Sequence, residues 1–437
     1  MNIAELQKKA LQNYNQGNDK KALNYANLIL YDFPKDCSAM IIKGNILYRQ
    51  GKFDDALGWY TQAISVDPEN KIAWINAANV HYTRKDYNFA YKSAKSALKI
   101  DANDSNALTL CGNSAIEMEK YDEAKEIFLH LTETNPSDFW GYNSLSQIYE
   151  KTQNYEQALS TGLKAVELSN GDKKQQLNFG YMLYEISQSG AEETAQKYAQ
   201  EWLAKYPRDS IVYHMANAVL QNQEVTKASV SYLQAVFDEF ADDFENVLDG
   251  LSYKVPQLIS EELSKVYGVA KKTKLQILDA GCGTGLCGLT LKQYAGFWGL
   301  HGVDISSKML EHAAEKKVYD KLINQDLEKY LSSIKNKYDL IVAADVFTYF
   351  GDLSKIISGC ATALHKKGRI IFSVTKNDID ESNYILHPSG RFIHTKSYIE
   401  KELSENGFSI AEIKENVLRL EGEKEVIGFL VDAVKTA

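Results

Sequence analysis

Small and apolar residues recur at a constant interval along the first half of the chain. Alanines stand about 34 residues apart from Ala22 to Ala158, and a second register of small residues keeps the same interval from Ala10 to Gly180. Large apolar residues such as Trp74 hold further repeating positions. Small residues let two helices approach closely, so we expect the small residue of one helix to meet the alanine of the next where the two cross. The pattern predicts a stack of helix pairs.

Prolines mark the ends of these pairs and indicate where the repeat loosens. Pro34, Pro68 and Pro136 keep the same phase, and a proline stops a helix because it has no backbone N–H to donate. The next alanine and the next proline, Ala195 and Pro207, both arrive late, which predicts a loop insertion at 187–190. A seventh, degenerate pair follows, with small and aromatic residues in the expected places: Ala216, Ala228, Tyr232 and Ala235.

Residues 1–236 resemble a tetratricopeptide repeat array of about six to seven repeats. The resemblance implies an α-helical superhelix whose concave face binds a protein or peptide partner. A structural spacer or a dimer interface stays open as an alternative, because a fold does not fix a function.

The second half of the chain changes to short apolar runs. Five runs from Leu275 onward alternate with helix-like segments, which is typical of a parallel sheet, and two later runs lie close together as a hairpin. We therefore predict an α + α/β multidomain protein, with an all-α solenoid followed by a doubly wound, Rossmann-like sheet of seven strands. Ligands of such sheets bind beyond the carboxyl ends of the strands. The runs are LQILDA, WGLHGVDI, DKLINQD, YDLIVAADV, GRIIFSV, FSIAEIKENVLRL and EVIGFLVDAV.

Composition and charge narrow the function classes. The 437 residues are 44% hydrophobic and 24% charged, which is typical of a globular protein of two domains or more. The net charge of −9 argues against a general nucleic-acid binder. Five scattered cysteines favour a reducing, cytoplasmic compartment without disulfides. We find no secretory signal and no run of about 18 apolar residues, so we expect no membrane span.

The segment LQILDAGCGTGLCG suits two different ligands. Gly283, Gly285 and Gly288 match a dinucleotide fingerprint, whereas a second interpretation begins at Gly281. The charge of Asp279 favours the second, because a carboxylate directly after the strand repels a pyrophosphate and attracts an ammonium group.

The end of the second strand carries a matching carboxylate. Asp304 follows about 20 residues later, where an acidic residue commonly binds ribose hydroxyls. The glycines let the backbone approach an amino-acid moiety, whose carboxylate would face the following helix N-terminus. An amino acid joined to a nucleoside without phosphates fits both carboxylates, and S-adenosylmethionine is such a molecule.

Four motifs resemble those of class I S-adenosylmethionine-dependent methyltransferases. They read ILDAGCGTG, GVDISSKML, NQDLEKY and YDLIVAADVFTYFGDL, and the resemblance covers residues 275–437. The whole chain resembles predicted bacterial methyltransferases that carry tetratricopeptide repeats. The resemblance implies a methyl transfer that leaves S-adenosylhomocysteine, without settling the acceptor.

The resemblance also implies a role for each matching residue. The segment from Asp279 holds the methionine end, Asp304 takes the ribose hydroxyls, Asp326 accepts from the adenine amino group, and Asp345 lines the methyl end. Ile305 and Met309 lie beside the adenine, and the Leu327 backbone N–H contacts its ring. Val346 lines the methyl end together with Asp345. A solvated turn or a helix N-cap is the alternative role for an acidic residue after a strand. The implied cofactor-binding residues are Asp279, Gly281, Gly283, Gly285, Asp304, Ile305, Met309, Asp326, Leu327, Asp345 and Val346.

The segment 237–274 joins the two predicted domains. Between Phe237 and Leu251 its apolar residues fall on one face of a predicted helix. Such a helix suits a lid over the glycine turn, and it equally suits a cap on the last repeat; both roles are compatible.

Candidates for the acceptor side follow the fourth and fifth strands. Tyr349 stands in an aromatic cluster, and the predicted loop HPSGRFIH supplies His387, Arg391 and His394. Histidine titrates near neutrality and arginine pairs with carboxylates, so these residues suit a base or an anchor of the substrate. The alternative is that they only tie together a surface loop.

Missing motifs narrow the acceptor further. The fourth strand ends in ADVF rather than in an Asn-Pro-Pro-aromatic run, which argues against nucleic-acid bases as acceptors. We expect no metal at the site. The remaining acceptors are a protein side chain or a small metabolite with nitrogen, oxygen or sulfur. Two other functions stay open: an interaction protein with an idle cofactor domain, and hydride transfer with NAD.

Overall fold

The computed structural model of the chain describes residues 2–268, 274–379, 381–422 and 424–436. The chain divides into two compact units, Met1–Gly171 and Asp172–Ala437. All five cysteines are free thiols. Across the described ranges, no helix combines the length and the apolar character that a membrane crossing requires.

Within its described part, the first unit consists of ten helices in five pairs. The first helix of each pair has 13 residues and the second has 14. An asparagine or aspartate caps each first helix; Asp36, for example, accepts the backbone N–H of Ala39. The helices are α1 Ile3–Asn15, α2 Asp19–Asp32, α3 Cys37–Arg49, α4 Phe53–Val66, α5 Lys71–Thr83, α6 Tyr87–Ile100, α7 Ser105–Glu117, α8 Tyr121–Thr134, α9 Phe139–Lys151 and α10 Tyr155–Leu168.

The two helices of a pair approach closely at the small residues, as predicted. The residue that faces the glycine of the first helix, however, differs from the predicted alanine. The alanine register is fully buried. A Cβ atom on Gly44 would lie 2.5 Å from the ring of Tyr60, and one on Gly112 would lie 2.5 Å from the ring of Phe128. The glycine therefore faces an aromatic ring of the second helix rather than its alanine, because only glycine leaves room for the ring.

The second unit begins with six described helices. The predicted loop insertion at 187–190 instead lengthens α11 to 16 residues, because the extra residues continue its backbone hydrogen bonds as far as Gln188. The single predicted helix over 237–251 is two helices, and the bend between them lets the rings of Phe237 and Phe244 meet. The six are α11 Lys173–Gln188, α12 Glu192–Lys205, α13 Ser210–Val219, α14 Val230–Phe240, α15 Phe244–Gly250 and α16 Val255–Tyr267.

A mixed sheet of nine described strands follows. The strands run in the order β3-β2-β1-β4-β5-β7-β6, with β9 pairing to both β5 and β8. Strands β1 to β5 pair in parallel and the β8–β9 hairpin joins antiparallel, as predicted. The strands are β1 Leu275–Ala280, β2 Ala295–Asp304, β3 Lys321–Asn324, β4 Tyr338–Ala343, β5 Leu364–Lys376, β6 Tyr384–Leu386, β7 Phe392–His394, β8 Phe408–Glu421 and β9 Lys424–Lys435.

The sheet contains nine described strands, two more than the predicted seven. The segment HPSGRFIH is a hairpin turn followed by β7 rather than a loop, and β6 precedes it. The His387 N–H donates to the Arg391 carbonyl at 2.9 Å, and Gly390 turns the chain with a φ of +81°. Helices cover the sheet: α17 Gly288–Leu291, α18 Ser307–Glu315, α19 Leu327–Ser332, α20 Ser354–Ala363 and α21 Lys396–Glu405.

Helices α11 to α14 belong to the same compact unit as the sheet. The His214 Nε2 of α13 donates to the Gly390 carbonyl at 2.8 Å, and the Ala228 N–H donates to the Tyr349 carbonyl at 2.9 Å. The boundary between the compact units therefore falls after Gly171 in the chain, whereas the predicted boundary at 236 follows the repeat pattern and stays a prediction. Residues 269–273 of the predicted linker lie outside the described ranges.

The glycine contacts of the first unit predict opposite effects for two Gly→Ala substitutions. Gly44→Ala places a methyl group against the Tyr60 ring and should destabilise the protein by about 1–3 kcal/mol. Gly58→Ala, within α4, meets no atom within 4 Å and should stabilise it by about 0.5–1 kcal/mol through the backbone entropy of the unfolded chain. Urea unfolding measures both, and an equal effect of the two would contradict the packing described here.

Candidate functional site

A cavity opens at the carboxyl ends of the parallel strands. Its empty volume, including the open mouth, is about 1130 Å³. Acidic residues at or just after the ends of β1 to β4 line one part of it, and helices α14 to α16 contribute an apolar wall. The acidic residues are Asp279, Asp304, Asp326 and Asp345; the apolar wall consists of Leu233, Phe237, Phe244, Leu248, Tyr253 and Pro256.

The glycine turn between β1 and α17 owes its shape to three glycines with positive φ. Gly281, Gly283 and Gly285 have φ angles of +67°, +53° and +89°. A Cβ atom on Gly281 would clash with Val346, and one on Gly285 would lie 3.0 Å from Tyr319. A Cβ atom on Gly283 would lie 3.7 Å from the Phe244 ring, an ordinary contact distance. Gly285 is the one predicted cofactor residue that does not line the cavity.

Asp279 carries its carboxyl group beneath this turn, almost fully buried. The Tyr319 hydroxyl donates to Asp279 Oδ2 at 2.6 Å. Burial raises the pKa of Asp279 to about 7; the nearby charge of Asp304 adds to this effect, and the hydrogen bond from Tyr319 opposes it. No sequence motif marks Tyr319, because this residue reaches Asp279 only in the folded sheet.

Asp304 links the end of β2 to the glycine turn. Its Oδ2 accepts the Gly283 N–H and its Oδ1 accepts the Ser306 N–H, both at 2.9 Å. Burial raises the pKa of Asp304, and these two backbone donors lower it in part. The helix N-cap role that was the alternative for Asp304 belongs to Ser306, whose hydroxyl accepts the Met309 N–H at 3.1 Å.

The remaining predicted cofactor residues also line the cavity. They are Ile305, Met309, Asp326, Leu327, Asp345 and Val346. Asp326 caps α19 by accepting the Lys329 N–H at 2.9 Å, so it has a structural role beside any binding role. Asp345 has a φ of +56°, and its Oδ2 lies 3.2 Å from the Arg419 guanidinium.

Helices α14 and α15 cover the cavity. The Phe237 ring contacts the rings of Phe244 and Tyr349 edge-on, with centroids 6.4 Å and 5.5 Å away. The Thr284 hydroxyl of the glycine turn donates to Glu245 Oε1 at 2.7 Å, which holds α15 over the turn. Helix α14 also packs on α11 and α13, and its Phe240 contacts Tyr181 of α11. Within the second unit this segment thus both covers the cavity and packs on the preceding helices.

The acceptor-side candidates separate into two groups. Tyr349 and Arg391 line the cavity, whereas His387 and His394 do not. His394 Nε2 donates to the Phe350 carbonyl at 2.8 Å, and burial lowers its pKa to about 4. The structure therefore does not bring these two histidines to the acceptor side as a base or an anchor, and β7 turns His394 into the protein interior.

His387 is held within its own turn. Its Nδ1 lies 2.9 Å from the Ser389 hydroxyl, and burial lowers the pKa of the ring.

The Arg391 Nη1 donates to Glu421 Oε1 at 3.2 Å. No group of three or more potential metal ligands comes together among the residues that the structure describes.

Comparison with known families identifies parts of both units. A family model described as a methyltransferase domain matches residues 278–370. Models described as a TPR repeat and as a tetratricopeptide repeat match residues 44–85 and 111–173.

Individual relatives match parts of the chain. RNA polymerase II-associated protein 3 of Homo sapiens is 27% identical over 137 residues, 30% of this chain and 20% of that protein. Malonyl-[acyl-carrier protein] O-methyltransferase of Priestia megaterium is 30% identical over 148 residues, 33% of this chain and 52% of that enzyme. The chain thus spans about a fifth and about half of these relatives.

A solved structure shows a similar partial match. The crystal structure of magnesium protoporphyrin IX methyltransferase (ChlM) from Synechocystis PCC 6803 with bound SAM is 20% identical, with a TM-score of 0.32. The match covers 55% of this chain and 97% of that one.

Proposed function

Because the chain carries a methyltransferase domain and tetratricopeptide repeats, we propose that it is a class I S-adenosylmethionine-dependent methyltransferase whose repeats recruit a protein partner or substrate. The observation that carries this proposal is the pair of buried carboxyl groups, Asp279 and Asp304, at the glycine turn of the cavity.

The residues around the cavity fit the parts of this cofactor. The buried Asp279 suits an ammonium group, and Asp304 keeps lone pairs for hydroxyl donors. Ile305, Met309 and Leu327 offer an apolar surface for a flat ring. The bound cofactor would supply a methyl group already activated on a sulfonium. The chain then only has to bind both reactants, align them and exclude water, as the cover of α14 and α15 would do.

The acceptor on this proposal is a protein side chain or a small molecule with nitrogen, oxygen or sulfur. The similarity to an O-methyltransferase favours oxygen. The second candidate function is that of an interaction protein whose cofactor domain transfers no methyl group. The repeats by themselves would support this function. NAD is disfavoured because Asp279 would stand beside its pyrophosphate. The cytoplasmic location expected from the cysteines stays a prediction.

Calorimetry with S-adenosylmethionine, S-adenosylhomocysteine and NAD tests the cofactor. The two S-adenosyl compounds should bind and NAD should not. Asp304→Asn keeps an acceptor for the turn but loses the charge, and should weaken binding about a hundredfold. Asp122→Asn, whose side chain is 98% exposed in α8, is the matched control and should bind normally. Tight NAD binding would end the proposal, and normal binding by the Asp304 variant would remove our placement of the ribose.

The raised pKa of Asp279 predicts a pH-dependent affinity. An ammonium ligand binds the ionised carboxyl group, so protonation of Asp279, with its pKa of about 7, competes with binding. Affinity should level off above this pKa and fall by about tenfold per pH unit below it. Titrations across this pH range in wild type and in Asp279→Asn measure the effect. The variant should bind weakly with a flatter profile; an unchanged slope would assign the titration to another group.

The compact units predict the effect of removing repeats. Deletion of residues 1–171 leaves the second unit whole and should spare cofactor affinity. If the repeats recruit a protein acceptor, the same deletion should lower kcat/KM on that acceptor by about tenfold or more. Deletion of residues 1–236 also removes Leu233 from the cavity wall and should impair cofactor binding itself. Equal turnover by the full chain and the 172–437 unit would indicate a small-molecule acceptor.

A further inference from the structure

The acceptor end of the cavity combines an apolar wall with one cationic side chain. Phe237 and Tyr349 meet edge-on in this wall. Arg391, directly before β7, lines the same cavity, and it is the one lysine or arginine among the described lining residues. An acceptor bound here therefore needs an apolar body and a group that tolerates a positive charge.

Internal ion pairs leave Arg391 able to bind another anion. Its Nη1 donates to Glu421 at 3.2 Å, but Glu421 also lies 2.9 Å from Arg419. Arg419 in turn pairs with Asp345. Glu421 therefore pairs with two guanidinium groups. Arg391 carries five N–H donors, and Glu421 and the Tyr349 side chain engage only part of them, which leaves others for a ligand carboxylate. Burial works against the charge on Arg391, but Tyr349, Asp345 and Glu421 outweigh it and raise its pKa.

The described cavity lining holds no histidine, lysine or glutamate, and its carboxyl groups are those of four aspartates. The proposed function assigns Asp279, Asp304 and Asp326 to the cofactor. The fourth, Asp345, has both oxygens engaged, by Arg419 and by Ser373. His387 and His394 bond elsewhere, as described above. The Tyr253 pKa lies well above its usual value because the ring is buried. An acceptor that arrives protonated would therefore find no unengaged base at this end of the cavity among the described lining residues. A carboxylate is already deprotonated at neutral pH, whereas an aliphatic amine is protonated and is repelled by Arg391.

We propose that the methyl acceptor is a carboxylate oxygen on a molecule with an apolar body, and that Arg391 binds this carboxylate. This inference rests on the proposed function. One carboxylate oxygen bonds to the methyl carbon while the bond from that carbon to sulfur breaks and leaves its electron pair on sulfur. The anionic acceptor and the cationic sulfonium give a neutral methyl ester and a neutral thioether, with no proton transferred.

The chemistry of the product tests the acceptor atom. Full-length protein is incubated with methyl-tritiated S-adenosylmethionine and cell lysate, and the labelled products are treated with mild alkali. Methyl esters release volatile methanol under these conditions, whereas methyl groups on nitrogen, sulfur or ether oxygen stay attached. We expect the transferred label to be released. Label that survives alkali would overturn the proposal.

Binding tests the role of Arg391 without turnover. Dodecanoate should bind the S-adenosylhomocysteine-loaded protein more tightly than dodecylamine does. Arg391→Gln should weaken dodecanoate binding by about tenfold, and Arg391→Lys should weaken it less because the charge remains. Arg208→Gln, at an exposed site between α12 and α13, is the matched control and should have no effect. All four proteins should bind S-adenosylmethionine equally.

The outcomes separate the two proposals. Failure of the wild type to bind S-adenosylmethionine would sink the proposed function. Normal cofactor binding with dodecanoate no tighter than dodecylamine, or unaffected by Arg391→Gln, would overturn the carboxylate acceptor alone. If the lysate takes up no label, these binding measurements decide.

Discussion

The burial of the Asp279 carboxyl group beneath the glycine turn is the constraint around which the site is built. A buried carboxyl group needs a hydrogen-bond donor, and Tyr319 supplies one. The Tyr319 ring in turn requires small neighbours: a Cβ atom on Gly288 would lie 2.5 Å from its hydroxyl, and one on Gly302 would lie 3.1 Å from its ring. Some of the glycines that resemble a ligand-binding fingerprint are therefore needed by a side chain of the protein itself.

The two buried aspartates at the glycine turn, Asp279 and Asp304, also make this end of the cavity suited to a positively charged group. Asp304 is held by backbone N–H donors, while Asp279 has a neutral tyrosine as its hydrogen-bond partner and a pKa near 7. A cationic group placed beside Asp279 would stabilise its ionised form. The site thus favours a ligand that carries positive charge at one end. The ion pair with Asp279, and the stabilisation it gives, would form only when the ligand binds.

Helices outside the sheet complete the other end of the cavity. His214 and Tyr232 stack with ring centroids 4.1 Å apart, and His214 holds the Gly390 carbonyl one residue before Arg391. Burial lowers the pKa of His214 to about 4, so this contact persists as a neutral hydrogen bond. The repeat-like segment of the second unit is therefore a structural part of the cavity wall, positioning the turn that carries the cationic side chain.

The sequence predicted the helix pairs and seven of the strands well, because these elements produce a periodic pattern of apolar residues. The alanine register located the helix pairs, and the apolar runs located seven strands with their pairing directions. A further register at the same interval, from Asn2 to Asp138, consists of the N-caps of the first helices. The bend after Phe240 and the short strand at Phe392 carry no periodic signal, because they follow from which surfaces they pack against.

The sequence by itself determined the order of the acidic residues after the strands, since parallel strands bring their carboxyl ends to one edge. Only the tertiary structure decided which side chains of the segment 387–394 face the cavity. Arg391 lies in the turn before β7 and reaches the cavity, whereas the pairing of β7 in the sheet buries His394. The same applies to Tyr319 and Asp279, which are distant in the chain and meet because burial of one requires the other.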